Sequence, residues 1–269
     1  MATLACFHAH PDDETIATGG VMALAKSQGH RVVLVVATKG EHGEIQPDVL
    51  DEGETLAERR VREVAEAAAI LGIDRVEYLG YVDSGMMGEP TNDLPGSFWT
   101  ADLDEATERL AAILRDEAVD VLTVYDSHGG YGHPDHIQVH RVGHLAGAAA
   151  DVPRVLEATM DRDAIFARMR EAAERGELPD DFELPDPDGE ESFGSPADVI
   201  THEIDVTAFV GQKREALVAH ASQVGPDSFF LAIPDEAFLE NFGRECFIDP
   251  SEPRPPGAPR HTDLFEGLS

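Results

Sequence analysis

Leu4-Ala5-Cys6-Phe7-His8-Ala9-His10-Pro11-Asp12-Asp13-Glu14 stands at the head of the chain. Its first half is mostly apolar and its second half mostly polar. Residues 3–8 read as a short buried strand. Glu14 to Gln28 reads as a helix, because Ile16, Val21, Leu24 and Ala25 recur at helical spacing and Gly29 supplies a stop. One His and two adjacent carboxylates therefore sit at the mouth of a strand. They are poor material for packing and good material for a metal and a general base.

The alternation continues outward from this stretch. Arg31 to Ala37 is a continuous, mostly β-branched run, as in a parallel strand covered on both faces. Thr55 to Leu71 reads as a helix ended by Gly72, Arg75 to Gly80 as a strand and Asp102 to Asp116 as a helix. Val119 to Tyr125 is a fourth strand, Pro134 to Ala148 a helix and Arg154 to Thr159 a fifth strand. This order predicts an α/β fold with a doubly wound, mostly parallel sheet flanked by helices. Residues 1–160 form its core. The pattern weakens in 161–249, a smaller irregular C-terminal portion. There Leu178 to Ser195 reads as an acidic, mobile loop or lid, Val199 to Val206 as a strand, and Thr207 to His220 as a helix with Thr207 placed to cap it. Residues 250–269 form a Pro-rich, extended tail.

Sites in doubly wound folds form outside the carboxyl ends of strands. A second polar cluster, Gly129-Gly130-Tyr131-Gly132-His133-Pro134-Asp135-His136, follows strand four and so lies on the same sheet edge as the first. A catalytic metal needs about three protein ligands and one open position. His10 and Asp13 at a strand-to-helix turn, with His136 as the third, give a set that suits zinc, with ferrous iron as the alternative. Asp12 is then free to act as general base on activated water. His133, one turn before His136, can stabilise an oxyanion or act as an acid, and Asp135 is a candidate for orienting it. The glycines allow a tight turn that leaves Tyr131 able to swing over a substrate.

Rival readings stay open at this point. Asp12 or Asp13 can simply cap the first helix. His136 with His140 is a rival metal pair at helical spacing, but Ile137 stands where metalloproteases place Glu. No Gly-rich dinucleotide fingerprint, Walker A loop or G-x-S-x-G elbow is present.

Charge narrows the partners. The chain has 53 acidic and 20 basic residues, a formal net of −33, and its only lysines are Lys26, Lys39 and Lys213. Such a surface repels nucleic acid and anionic membranes. It fits either adaptation to high salt or a high-GC genome. No stretch has the length of a membrane span and no signal-peptide pattern is seen, so a cytoplasmic protein is expected. Cys6 and Cys246 lie at opposite ends and are expected to be reduced thiols.

Ala9-His10-Pro11-Asp12-Asp13-Glu14 together with Gly132-His133-Pro134-Asp135-His136 resembles the two motifs of the PIG-L/LmbE-like N-acetylglucosaminyl deacetylases. The resemblance is firm over the first 160 residues and looser through Lys213 to Gln223 and Phe242 to Ile248. It implies a Rossmann-like fold and zinc-dependent hydrolysis of an N-acyl group, usually N-acetyl on a glucosamine. It assigns His10, Asp13 and His136 to the metal, Asp12 to the base and His133 to the oxyanion or acid role. Asp135 would support His133, and Tyr131 would polarise the carbonyl. Tyr131 resembles the mycothiol branch, where Glu44, Arg60 and Asp83 stand in substrate-contacting positions. The implied partner is a small N-acyl amino sugar, with homo-oligomerisation left open. An amidase for thiol S-conjugates is the alternative enzyme, and a metal-binding protein without turnover is the alternative from another class.

Overall fold

A computed structural model describes residues 1–176 and 193–268. The strands are β1 (Thr3–His8), β2 (Arg31–Val36), β3 (Arg75–Tyr78), β4 (Val121–Tyr125), β5 (Arg154–Thr159), β6 (His202–Asp205) and β7 (Arg244–Ile248). The helices are α1 (Asp13–Ser27), α2 (Leu56–Leu71), α3 (Leu103–Asp116), a single turn α4 (Gly129–Gly132), α5 (Pro134–Ala149), α6 (Arg162–Glu174), α7 (Val210–Ala219), α8 (Phe229–Ala232) and α9 (Asp235–Phe242).

The strands form one sheet in the order β3-β2-β1-β4-β5-β7-β6. The first five run parallel, whereas β7 lies antiparallel to both β5 and β6. The period-2 geometry of strands sorts the apolar runs onto two faces. Ala5, Phe7, Val33, Val35, Leu122 and Val124 pack with Leu110 of α3 and Val139 and Val142 of α5. Leu4, Cys6, Val32 and Val121 pack with Val21 and Met22 of α1, Leu71 of α2 and Ala216 of α7. Covering both faces explains why β1 and β2 read as unbroken apolar runs.

The order of strands reverses between β1 and β4, which are direct neighbours. Loops leaving the carboxyl ends of two such strands part to opposite faces and open a crevice, the usual ligand position in these sheets. His10 follows β1 and His133 follows β4, so the crevice lies between the two predicted motifs.

Thr55 caps α2 in a reciprocal box with Glu58, and Gly72 closes it at φ 77°. Both ends were legible as a Thr start and a Gly stop. Thr207 does not cap α7 as expected. Its N–H donates to Asp205 Oδ1 (3.0 Å) and its hydroxyl to the Gly243 carbonyl (3.4 Å), and the chain makes a 3-10 turn, Thr207–Phe209, before α7 begins. The C-terminal portion clamps α1 from behind. Lys213 Nζ and Glu245 Oε1 form a buried pair at 2.6 Å, and the Glu245 carboxylate accepts from Gly20 and Val21 N–H at 2.8 Å each. Only glycine fits at position 20, because a Cβ there would fall 2.5 Å from Val206 Cγ2. The tail is not free: Leu264 is buried, and Phe265 stacks on His30 at 4.0 Å.

Residues 178–192 of the predicted acidic lid lie outside the described residues. Cys6 and Cys246 are free thiols. Among the described residues, no helix is long and apolar enough to cross a membrane.

Candidate metal and catalytic centre

The chain enters α1 through Asp12, whose φ of 97° is unusual for a residue with a Cβ. That conformation costs about 1–3 kcal/mol. Asp12 occupies the N-cap position but its side chain caps nothing. Its backbone does the local work: the carbonyl accepts from Thr15 and Ile16 N–H at 3.0 and 3.1 Å, and the N–H donates to Glu14 Oε2 at 2.9 Å. The simple capping reading therefore fails for Asp12. The carboxylate is left beside the Arg60 guanidinium, 3.3 Å away, and only 18% exposed. Burial pushes Asp12 up to about 6, against the downward pull of Arg60.

Asp13 Oδ2 lies 3.4 Å from both His10 Nδ1 and His136 Nε2. Donors around a tetrahedral zinc at bond lengths of about 2.0–2.2 Å are themselves about 3.3 Å apart. Both distances from Asp13 thus have metal-site spacing; His10 lies in the turn after β1, Asp13 begins α1 and His136 lies in the first turn of α5. His10 Nε2 faces the other way, to Asp135 Oδ2 at 3.2 Å and Asp83 Oδ1 at 3.4 Å. A ring nitrogen held by carboxylates while the other faces the ligand cluster is the arrangement that orients metal-binding histidines. The electrostatics agree. Burial opposes charge on both Asp13 and His10, yet the His136 and His10 rings hold Asp13 well below its ordinary value, and Asp13, Asp135 and Asp83 hold His10 well above its own. Three carboxylates around one imidazole, those of Asp83 and Asp135 buried and that of Asp13 partly so, favour positive charge at this point.

His133 is the N-cap of α5, and its Nδ1 accepts from Asp135 N–H at 3.1 Å. In the neutral ring the proton is therefore on Nε2. Burial and the neighbouring His10 and His136 rings pull His133 down to about 4, so it is neutral near pH 7. The rings of His10 and His133 are 4.6 Å apart, and donor atoms of His10, His133 and His136 lie within 4.8 Å of one another. Tyr131 is 54% exposed, edge-on to His136, with its hydroxyl 3.5 Å from His136 Nε2.

Asp135 departs from expectation. Its carboxylate bonds His10 Nε2, Ser84 N–H (2.9 Å) and the Ser84 hydroxyl, while His133 is oriented by the Asp135 backbone. A carboxylate in the first turn of α5, completely buried, points at His10 after β1 and Ser84 after β3 rather than back along its own helix. Asp83 is likewise buried, facing His10 and accepting from His42 and Gly85 N–H at 3.1 and 2.9 Å. Arg60 is 3% exposed, and its guanidinium bonds the carbonyls of Pro11 and Gly40. Asp83 and Arg60, read from resemblance as substrate contacts, are thus turned into the support of the motif. Glu44 alone of that set is exposed, its carbonyl held by Gln223 Nε2 at 2.8 Å. His140 does not join His136, because its ring turns to the Tyr125 carbonyl at 3.0 Å.

A profile of the PIG-L family, GlcNAc-PI de-N-acetylase, matches residues 5–146. The chain belongs to the PIG-L family. Its relatives include proteins named 1D-myo-inositol 2-acetamido-2-deoxy-alpha-D-glucopyranoside deacetylase. The one from Acidothermus cellulolyticus is 41% identical, covering 100% of this chain and 96% of that one. The one from Thermobifida fusca is 40% identical, covering 96% of each. Among solved structures, a conserved protein from Thermus thermophilus shares the fold, with a TM-score of 0.58 at 23% identity, over 96% of this chain and 100% of that one.

Several supports of this PIG-L centre were not found from sequence. Glu14 is completely buried, with Oε1 2.7 Å from His220 Nε2 and Oε2 on the strained Asp12 N–H. Burial works against both charges, but each partner outweighs it, so Glu14 is shifted down and His220 up. Tyr125 stacks on His136 at 4.3 Å and 10°, with its hydroxyl 2.8 Å from His8 Nδ1. Glu14 belongs to the quoted motif, so position alone was a signal. His220 lies 206 residues away, at the end of a helix of no marked pattern, and nothing local points to it.

Proposed function

We propose that the chain is a zinc-dependent deacetylase that hydrolyses the N-acetyl amide of a glucosamine joined to myo-inositol, the substrate for which its relatives are named. Ferrous iron is the alternative metal. One observation carries the reading: Asp13 Oδ2 is equidistant from His10 Nδ1 and His136 Nε2, while the adjacent Asp12 carboxylate takes no part in that cluster. A metal store has no use for the second carboxylate; hydrolysis does.

His10, Asp13 and His136 would hold the cation, which supplies Lewis acidity to water and to an acyl carbonyl. Asp12 takes the proton from the attacking water, and its value of about 6 is suited to a base working near neutrality. The neutral His133 donates Nε2–H to the oxygen on which charge develops. Tyr131, at the open rim, adds its hydroxyl to the same oxygen. The proton held by Asp12 is then delivered to the leaving amine. Because His133 is neutral near pH 7, one shared acid and base fits better than a protonated His133. Asp135 and Asp83 fix the His10 ring throughout.

The test is release of free amine and acetate from 1D-myo-inositol 2-acetamido-2-deoxy-alpha-D-glucopyranoside by zinc-loaded protein, with and without chelator. Equal amounts of both products, lost on chelation and restored by zinc, are expected. No amine release from this substrate with metal loaded would overturn the reading, and preferential cleavage of an S-conjugate amide would move it to the amidase.

A further inference from the structure

We propose that His140, His144 and Glu157 form a second divalent-cation site, separate from the catalytic centre. His140 and His144 are one turn apart on α5, and their ring centroids are 4.6 Å apart. Glu157 projects from β5 beneath them. Its Oε1 lies 2.8 Å from His144 Nε2 and 3.6 Å from His140 Nδ1, and one donor atom from each of the three falls within 4.8 Å of the others. His140 Nδ1 donates its proton to the Tyr125 carbonyl at 3.0 Å without the ion, so cation binding at Nδ1 would displace that proton and bond.

Two imidazoles and one carboxylate form a donor set suited to first-row divalent ions such as zinc, cobalt or nickel, and not to magnesium or calcium, which favour oxygen. The donors sit on a helix and a neighbouring strand of the sheet, so their convergence does not depend on a loop. Bringing them to tetrahedral edges of about 3.3 Å requires side-chain shifts well under 1 Å for the two distances to Glu157. Access is open: the side chains of His140 and His144 are 21% and 29% exposed. Glu157 also lines a cavity of about 370 Å³ with Asp126, His128, Arg162 and Ser195. The partial exposure makes this the weaker of the two sites, filling after the buried one. Tyr125 touches both, its ring stacked on His136 and its carbonyl accepting from His140.

Equilibrium dialysis of the full chain against buffered free zinc, with elemental analysis, tests this independently of any activity. Wild type is expected to rise in two steps to two ions per chain. His144→Ala, altered at a partly exposed position, is expected to stop at one and to keep wild-type turnover at one zinc per chain. Glu157→Gln is expected to stop at one as well. His136→Ala is expected to keep the weak step and lose the tight one. With cobalt, wild type should show a second set of visible bands that His144→Ala lacks. Equal plateaus for wild type and His144→Ala would overturn the site, and so would a wild-type plateau at one.

Discussion

The loop after β1 and the loop after β4 contribute equally to the candidate centre and are built in opposite ways. The first is locked. Arg60 holds the Pro11 carbonyl, Glu14 holds the Asp12 N–H, and His220 holds Glu14 from the far end of the chain. The second turns on Gly129, Gly130 and Gly132, with φ of 67°, 74° and 90°, and leaves Tyr131 half in solvent. The difference matches the proposed chemistry. A base must not move during proton transfer, and Asp12 sits on the locked side with two of the three ligands, His10 and Asp13; the third, His136, is held in the first turn of α5 against the Tyr125 ring. The residue that covers a substrate must clear its path, and it sits on the glycine side.

The hardest blow to the locked loop is removal of its base. Asp12→Ala is expected to lower kcat by about 10³-fold with zinc content unchanged, whereas His10→Ala is expected to lose the metal. Steady-state kinetics paired with elemental analysis separate the two. Near-normal turnover of Asp12→Ala would remove the assignment.

Next comes the buried pair that braces the same loop. Glu14→Ala removes the charge partner of buried His220, leaving it the Thr15 hydroxyl at 3.5 Å, and releases the strained Asp12 N–H. A loss of about 3–5 kcal/mol is expected in urea unfolding. His220→Ala is expected to fall in the same range, and the double variant to cost less than the sum. Additive losses would show that the two residues do not act as a unit.

A smaller, graded effect concerns protons. The base must be ionised, and Asp12 is raised to about 6, so kcat/KM is expected to fall tenfold per pH unit well below that value and level off above it. A bound cation favours the carboxylate, so the limb of the loaded enzyme lies at or below about 6. Arg60 pulls Asp12 down, so Arg60→Met is expected to move the limb upward. An unchanged limb would mean that Asp12 is not the group observed.

How much of this was legible depends on distance along the chain. The βαβ order, the two motifs and their shared sheet edge follow from local periodicity, which is why β1 to β5 and the positions of His10, Asp13 and His136 were readable. Charge partners across the fold were not. His220 closes α7, Lys213 pairs with Glu245 across 32 residues, and neither carries a periodic or turn signal. Asp83 and Arg60 are polar residues near a site, which suggests contact with substrate. Their burial, which sequence does not report, turns them into supports of His10 and Asp12. Asp135 was assigned to its helical neighbour His133 because proximity in sequence was the only guide, whereas the adjacent strand brings His10 closer to its carboxylate.

The mildest test falls on the glycine side. A Cβ at Gly130 meets nothing within 4 Å, so Gly130→Ala probes backbone conformation alone at φ 74°. With ψ at −50° this is close to the rare γ-turn of positive φ and not the left-handed helical well, and its cost for alanine is about 1–3 kcal/mol. In a chain of this size each kcal/mol lowers Tm by about 3 °C. At Gly129 the same change adds a clash, since a Cβ would fall 2.6 Å from His136 Cβ, so Gly129→Ala is expected to disturb the ligand as well. If the two loops divide their work as argued, Gly130→Ala keeps its zinc and changes turnover, while Gly129→Ala loses zinc. Loss of zinc from Gly130→Ala would mean that the Tyr131 turn and the His136 ligand are one mechanical unit, and the contrast between the loops would not stand.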